Sequence, residues 1–325
     1  MGARSMRIRA AAVAALGLAM LAAPHARADE TVIVGSVGSA SANLWPVTVG
    51  IKKGFFAAEG IKIDLVFVQA NAGVIQQLAV DAVNVSVGSG LVDPIRAIEK
   101  GVPLALARIE MQRPPYMLLA KPAIKRIAEL KGKVVSVGGA KDITRIFFER
   151  MLVPSGVAPK DVDLIYAGAT SARLAALQSG AADAAILTAP YNFHAEAAGF
   201  TNLGRTSDVV DMPFSGVSVN RNWVASHKAT IDKFLAVYTR SIAWLQDPAN
   251  QNEAIDMMVA VSSLKRDDVA KAYDFLIKGR FLETTGVISR AQLAKVVDAL
   301  KELGDIPADF SVDRLFMPGL ARITD

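Results

Sequence analysis

Residues 162–188 (VDLIYAGATSARLAALQSGAADAAILT) decide the fold, because they hold a strand pattern, a helix pattern and a second strand pattern in direct succession. The two strand patterns are the short runs 162–166 and 182–187, and Gly168 and Gly180 separate them from the stretch between. Units of strand, helix and strand build parallel sheets whose faces are covered by helices. We therefore predict an α/β fold.

Similar units fill the first two thirds of the chain, and they repeat. Asp64-Leu65 matches Asp163-Leu164, and Ser89 matches Thr188, each at an offset of 99 residues. Each half is therefore predicted to run strand, helix, strand, helix, strand, with a small hydroxyl residue at the end of its third strand. The predicted strands are 31–36, 61–68 and 83–87 in the first half and 133–138, 162–166 and 182–187 in the second.

From about Arg221 onward the sequence shows only helical periodicity. Residues 228–246 place apolar side chains three or four positions apart, which is the spacing of one helix face. The same spacing continues through 252–260, 266–278 and 289–303. These patterns predict a helical C-terminal tail.

The chain is expected to pass twice between the two halves. The apolar run 116–120 joins the first half to the second, and residues 216–220 form the return. Two crossings between two α/β lobes imply a hinge. The predicted lobes are 29–117 together with 219–325, and 118–218.

The first 28 residues have the layout of a secretory signal peptide. Arg4, Arg7 and Arg9 precede an apolar run from Ala10 to Ala23, and Ala26-Arg27-Ala28 supplies small residues at a cleavage site. The run is too short to span a bilayer. We predict export to a bacterial periplasm, with cleavage after Ala28.

The charge balance changes once this segment is set aside. The whole chain has 36 Lys and Arg against 31 Asp and Glu, and four of the arginines lie in the predicted signal peptide. The remainder is almost neutral, which removes the main support for nucleic-acid binding. The absence of cysteine excludes disulfides, thiol catalysis, cysteine-ligated metals and a lipid-modified N-terminal cysteine.

Four segments resemble the substrate-binding proteins of the nitrate/sulfonate/taurine ABC-importer family, which share their fold with thiamin-pyrimidine-precursor proteins. The segments are 45–60 (WPVTVGIKKGFFAAEG), 86–103 (SVGSGLVDPIRAIEKGVP), 130–135 (LKGKVV) and 170–191 (TSARLAALQSGAADAAILTAPY). The resemblance implies a two-lobed periplasmic binding protein of type II, each lobe a mostly parallel sheet flanked by helices. It also implies capture of a small ligand in an interlobe cleft and delivery to the transmembrane subunits of an ABC permease. We expect a monomer that binds no nucleic acid.

The predicted strand ends supply the candidate site. Ligands of open parallel sheets bind beyond the carboxyl ends of the strands, where glycines allow close approach and free N–H groups suit an anion. Small polar residues and glycines occur at three such ends, at 36–43, 88–90 and 138–144. The candidate ligand-binding residues are Ser39, Asn43, Trp45, Ser89, Gly90, Lys141, Asp142, Thr144, Thr188, Tyr191 and Ser215.

Several of these side chains have an alternative structural role. Trp45 forms either an apolar wall for the ligand or part of the core between helix and sheet. Lys141 contacts an anionic group or is an exposed residue of a first helical turn. Asp142 is expected to cap its helix through the N–H of Thr144 or Arg145 rather than to touch the ligand.

The chain departs from the sulfonate-binding members in two places. Those members often carry a His at the start of the second-lobe helix, where this chain has Lys141 and Arg145, and often an acidic residue where it has Ala189. Because Trp45 and Tyr191 accompany Lys141, we expect a small organic anion: a sulfonate, a carboxylate or an aromatic acid.

Catalytic patterns are absent from the sequence. His194 and His227 have no partner at metal-ligand spacing, and no phosphate-binding loop, nucleophile elbow or HExxH pattern occurs. We therefore predict no catalytic residue, no metal and no cofactor. Two alternatives stay open: a periplasmic enzyme of the same fold, such as an organic-acid dehydratase using Glu110, and a subunit that presents its ligand to a sensor.

Overall fold

The computed structural model describes residues 30–325. The predicted signal peptide at 1–28 lies outside the described residues. Within residues 30–325, no helix is long and apolar enough to cross a membrane.

Two five-stranded sheets form the framework, and they share one plan. The first sheet has the order β2-β1-β3-β10-β4, and the second has the order β7-β6-β8-β5-β9. In each sheet four strands run in the same direction, and only the fourth in the order, β10 or β5, is reversed. The strands of the first sheet are β1 (Glu30–Val37), β2 (Ile61–Val68), β3 (Val85–Gly90), β4 (Leu104–Met111) and β10 (Ser215–Asn220). Those of the second are β5 (Tyr116–Ala120), β6 (Val134–Val137), β7 (Asp163–Tyr166), β8 (Ala184–Thr188) and β9 (Thr201–Arg205).

The predicted internal repeat is confirmed in the strand register. Val34 pairs with Leu65 in the first sheet, and Val135 pairs with Leu164 in the second. The α/β prediction is therefore confirmed down to equivalent parallel pairs in the two lobes. The two crossing segments are themselves the reversed strands, so each sheet includes a strand that the chain forms as it enters from the other sheet.

Four strands of these sheets were not predicted as strands: β5 and β10, which were predicted only as crossing segments, and β4 and β9. β4 is buried at every position although it contains Arg108 and Glu110, which interrupt its apolar pattern. β9 (TNLGR) is short, and Leu203 is its one large apolar residue. A small parallel pair, β11 (Val287–Ser289) with β12 (Arg322–Thr324), also interrupts the predicted helical tail.

Helices cover both sheets, and the tail packs onto both lobes. The helices before the tail are α1 (Trp45–Lys52), α2 (Phe55–Ala58), α3 (Asn71–Ala79), α4 (Val92–Glu99), α5 (Ile143–Leu152), α6 (Thr170–Gln178) and α7 (Tyr191–Ala197). Those of the tail are α8 (Arg221–Ser226), α9 (Lys228–Gln246), α10 (Gln251–Ser262), α11 (Arg266–Tyr273) and α12 (Arg290–Glu302). The helix predicted over 266–278 ends as a π-helical turn at Asp274–Lys278.

The tail is anchored through α9 against α1 and α2. The rings of Phe56 and Phe234 stack with centroids 5.2 Å apart. Gly50 allows this approach, because a Cβ at that position would lie 2.5 Å from the Phe56 ring. Burial of such large side chains is the main favourable contribution to packing, so α9 fixes the position of the first lobe's helices.

Candidate functional site

A small cavity of about 40 Å³ lies between the two sheets, at the carboxyl ends of their strands. The loop after β1, the start of α3 and Gly88 of β3 line it from the first lobe. The second lobe contributes the loop after β6, the start of α6, the C-terminal end of β8 and the first residue of α7. Strand ends and helix starts thus converge from both lobes, as in other ligand sites of open α/β sheets.

Arg173 is the dominant charge of the cavity. It lies in the first turns of α6 and is only 3% exposed. Its Nη1 donates to the carbonyl of Gly168 at 2.9 Å, and its Nη2 donates to Thr170 Oγ1 at 2.6 Å, while its buried Nε has no hydrogen-bond partner. Among residues 30–325 this guanidinium forms no direct ion pair with a carboxylate, although Asp142 lines the same cavity and both side chains lie beside Gly138. A buried guanidinium that is not paired directly with a carboxylate favours an anion in contact with it.

Tyr116 covers one side of Arg173. The guanidinium carbon lies 5.7 Å from the centre of the Tyr116 ring, a cation–π distance. Tyr116 begins β5, and its ring packs edge-on against Phe214, which also lines the cavity. The aromatic pair therefore holds the guanidinium in place and shields it from water.

Asp142 supplies a carboxylate at the opposite helix start. As predicted, it caps α5: its Oδ1 accepts from the backbone N–H of Thr144 at 2.9 Å and also from the Thr144 hydroxyl. Its Oδ2 accepts from Asn71 Nδ2 of the first lobe at 3.1 Å. Thr144 Oγ1 in turn accepts from the N–H of Gly138 at 2.8 Å. The carboxylate is therefore engaged by hydrogen bonds from both lobes.

The first-lobe wall is held by a buried chain of hydrogen bonds. Asn43 Nδ2 donates to the carbonyl of Gly88 at 3.1 Å, which leaves the buried Asn43 Oδ1 without a partner. The N–H of Gly88 donates to Glu110 Oε2 at 2.7 Å, and Glu110 Oε1 accepts from Tyr238 Oη at 2.6 Å. Burial raises the pKa of Glu110 to about 7. Glu110 is 1% exposed and does not line the cavity.

The structure brings together five of the predicted site residues. Asn43 comes from the segment after β1, and Asp142 and Thr144 lie at the start of α5. Thr188 ends β8, and Tyr191 begins α7. The residues that line the cavity are Asn43, Asp142, Thr144, Thr188 and Tyr191.

The other predicted residues lie elsewhere. Ser39 is exposed, although its neighbours on both sides line the cavity. Trp45 is 3% exposed within the core, because α1 turns its first residue toward the sheet. Lys141 has an exposed side chain that extends toward Asp305 at 3.6 Å.

Three further predicted residues are buried at strand ends of the first lobe. The hydroxyl of Ser89 bonds that of Ser86 at 2.7 Å. Gly90 lies against Ile143 of the second lobe. Ser215 is fully buried where β10 begins, and it does not line the cavity.

Sequence reasoning missed the residues that carry the charge and shape of the cavity. Arg173 interrupts an otherwise apolar helix pattern (SARLAAL, 171–177), and this signal was available. Tyr116 begins the apolar run 116–120, whose pattern indicates only a crossing segment. Asn71 begins α3 with no pattern that marks it. Ser41 and Ser171 also line the cavity.

The described residues provide no evident metal site. Within residues 30–325, no three His, Cys, Asp or Glu side chains are grouped so that they could hold a metal ion. His194 Nδ1 lies 3.0 Å from Asp268 Oδ2, and the His227 ring stacks on Trp223 at 4.8 Å. Both histidines therefore serve packing within and onto the helical tail.

Two equivalent lobes joined by two crossings, with a buried cation at the strand ends between them, define the class of two-lobed periplasmic-binding-protein folds. The sequence shows the family directly: the NMT1/THI5-like family model matches residues 41–251. The chain therefore belongs to the NMT1/THI5-like family.

Solved structures of similar fold include anion-binding proteins. The alkanesulfonate-binding protein SsuA from Xanthomonas axonopodis pv. citri, bound to MOPS, has 17% sequence identity and a TM-score of 0.73, over 88% of this chain and 98% of that chain. The periplasmic aliphatic sulphonate binding protein SsuA from Escherichia coli has 19% identity and a TM-score of 0.70, over 91% and 94%. The periplasmic nitrate-binding protein NrtA from Synechocystis PCC 6803 has 13% identity and a TM-score of 0.69, over 88% and 84%. No curated protein matches the sequence. At these identities the likeness establishes the fold.

Proposed function

We propose that this protein is the periplasmic solute-binding component of an ABC importer and that it captures a small organic anion between its lobes. The observation that carries the proposal is Arg173, a buried guanidinium that lines the cavity and, in the described part of the chain, forms no direct ion pair with a carboxylate. Solved proteins of similar fold bind sulfonates and nitrate, which agrees with an anionic ligand.

The cavity favours a compact ligand. Its volume of about 40 Å³ holds only a few water-sized groups. Arg173 and Asn43 both line this cavity, and the buried Arg173 Nε and Asn43 Oδ1 have no hydrogen-bond partner. A short-chain sulfonate or carboxylate meets these requirements better than a large aromatic acid.

Matched pairs of small molecules test the ligand class. Ethanesulfonate is compared with ethanesulfonamide, and propionate with propionamide, by thermal shift and calorimetry. A ligand that binds only the folded state raises the melting temperature with concentration. We expect stabilisation by the acids and none by the uncharged amides. Equal binding of both members of each pair would contradict an anion site.

Substitution at Arg173 tests the residue itself. Arg173→Gln removes the charge, and we expect it to weaken acid binding at least about ten-fold, the loss of one charge-assisted hydrogen bond. Arg126→Gln is the matched control, because Arg126 also belongs to the second lobe but pairs at the surface with Glu129 of the same lobe. Wild-type affinity in Arg173→Gln would remove the basis of the proposal.

Export and delivery are tested in the cell. We propose that residues 1–28 direct export, so mass spectrometry of protein from the periplasm is expected to find Asp29 as its first residue. Deletion of the gene is expected to abolish uptake of the radiolabelled acid. Unchanged uptake, with loss of a transcriptional response to the same acid, would assign the protein to a sensor instead.

The lobe boundaries are also part of the proposal. The strands of the first sheet lie within 30–111 and 215–220, and those of the second within 116–205. This distribution supports 29–117 with 219–325 as one lobe and 118–218 as the other, except that Tyr116 and Met117 begin β5 of the second sheet and residues 215–218 belong to β10 of the first. We propose that the protein works as a monomer, which light scattering would test.

A further inference from the structure

A group of charged residues spans the cleft outside the cavity, where α4 of the first lobe faces the loop that leads into α5 of the second. We propose that Arg96, Asp305 and the backbone carbonyl of Lys141 form a latch that holds the lobes closed. The latch rests on the proposed function only because the closed form is the one that would retain the ligand. Arg96 does not line the cavity, so the latch acts on closure and not through ligand contact.

Arg96 makes the crossing. Its Nη1 donates to the carbonyl oxygen of Lys141 in the second lobe. Its Nη2 donates to Asp305, which follows α12, and its Nη1 lies 3.4 Å from Asp93 Oδ1 one turn earlier in α4. The side chains of Arg96, Asp93 and Asp305 are only 13%, 14% and 16% exposed. Hydrogen bonds between charged groups are strong at sites with little solvent.

The latch has a return contact. The ammonium of Lys141 lies 3.6 Å from Asp305 Oδ1, so the residue whose carbonyl receives Arg96 also extends a charge back to the first lobe. Beside it, Asn71 Nδ2 donates to Asp142 Oδ2. The segment Lys141-Asp142, at the start of α5, is therefore held from the first lobe by a guanidinium, a carboxylate and an amide.

The contact of Arg96 with the second lobe is expected to affect closure of the lobes and not the folding of either lobe. Both carboxylates that hold Arg96 belong to the first-lobe body, because Asp93 lies on α4 and α12 packs against α4. When the lobes part, Arg96 keeps these partners and loses only the Lys141 carbonyl. Removing Arg96 is therefore expected to shift the equilibrium between open and closed lobes, which moves only with contacts that differ between the two states.

The absence of cysteine makes the lobe distance directly measurable. Val80 of the first lobe is 74% exposed and Val153 of the second is 69% exposed, so cysteines at these positions can carry spin labels without disturbing the core. Double electron–electron resonance between the two labels then measures the distance between the lobes. The measurement is made without added ligand and again with ethanesulfonate. The test variant is Arg96→Gln, and the control is Arg266→Gln, whose partner Asp256 lies on a neighbouring tail helix.

We expect Arg96→Gln to lower the ratio of closed to open protein about ten-fold, the factor for one hydrogen bond to a charged group. Arg266→Gln should keep the wild-type distribution. Arg96→Lys, which keeps the charge but not the forked geometry, should fall between them, and it serves as the test if Arg96→Gln fails to fold. Wild-type distances in Arg96→Gln and Arg96→Lys under both conditions would overturn the latch. If Arg96→Gln opens the lobes while no acid binds any variant, the latch stands and the proposed ligand class falls.

Discussion

The backbone N–H of Gly88 donates a 2.7 Å hydrogen bond to Oε2 of Glu110, a carboxyl that is only 1% exposed. Gly88 lines the cavity, and Glu110 lies behind it, bonded on its other oxygen to Tyr238 of α9. One wall of the cavity is thereby connected by hydrogen bonds to the helical tail. This position argues against Glu110 as the acid or base of an enzyme, since such a group must reach its substrate.

Gly88→Ala is expected to damage the cavity. Gly88 has a φ of +71°, and a Cβ there would lie 2.6 Å from Asn43 Cβ, so Asn43 must move. The left-handed backbone adds a destabilisation of about 1–2 kcal/mol. We expect a lower melting temperature and at least about ten-fold weaker acid binding by calorimetry.

Gly54→Ala is the matched control for that variant. Gly54 has a φ of +69° and no atom within 4 Å of the added Cβ. It should show the same backbone cost with unchanged affinity. Wild-type affinity in Gly88→Ala would mean that Asn43 does not shape the ligand site.

Glu110→Gln is expected to flatten the dependence of stability on pH. Burial raises the pKa of Glu110 from 4.5 to about 7 in the folded protein. Between these values the folded state binds a proton that the unfolded state releases, so the free energy of unfolding falls as pH rises through this window. Glutamine keeps the shape and does not titrate. Urea denaturation at about pH 5 and pH 8 measures the difference, and an identical slope in both proteins would refute the protonated carboxyl.

Asp93 is expected to link lobe closure to protons. Burial first, and then Asp142 of the second lobe, raise the pKa of Asp93 to about 7, while Arg96 lowers it and Asp305 raises it. Opening moves Asp142 away from Asp93, so Asp93 binds a proton more tightly in the closed form than in the open form. Low pH is therefore expected to favour closure.

The distance measurement between labelled lobes tests this linkage. The closed fraction should rise as pH falls from about 8 to about 6, and Asp93→Asn should abolish the change. A pH response that persists in Asp93→Asn would assign it to another group.

Gly90→Ala is expected to hold the lobes apart. A Cβ on Gly90 would lie 2.7 Å from Ile143 Cγ2 across the cleft. Because the proposed opening of the lobes would relieve this clash, it should lower the closed fraction and ligand affinity about ten-fold while the melting temperature changes little. Gly73→Ala on α3 is the control, since its nearest neighbour would lie 3.7 Å away. A closed fraction equal to that of the wild type would show that Ile143 can move aside.

Local patterns predicted the parts of the fold that local chemistry determines. The strand pairs Val34–Leu65 and Val135–Leu164 occupy equivalent places in the two sheets. They could be predicted because both lobes use short apolar strands of similar sequence. β4 escaped prediction because Arg108 and Glu110 look polar in sequence. In the fold, Arg108 is paired with Glu283, and Glu110 with Tyr238, partners that lie more than a hundred residues away.

The site was predictable only in outline, for the same reason. Strand ends and helix starts predicted Asn43, Asp142 and Thr188 as site residues, and all three line one cavity. The orientation of a side chain depends on tertiary packing, so Trp45 turned inward while Arg173 turned toward the cleft. Hydropathy treats a buried arginine as a surface residue, and only its contacts show otherwise.

The insertion of β10 between β3 and β4 sets the order in which the chain can fold. The second sheet is complete within one continuous stretch, 116–205, whereas the first lacks an interior strand until Ser215–Asn220 has been made. A chain synthesised from its N-terminus therefore completes its second sheet first. Until β10 has been made, β3 and β4 each have an unpaired edge, and unpaired strand edges pair readily with other chains. The early half of this protein consequently depends on its late half for protection against aggregation.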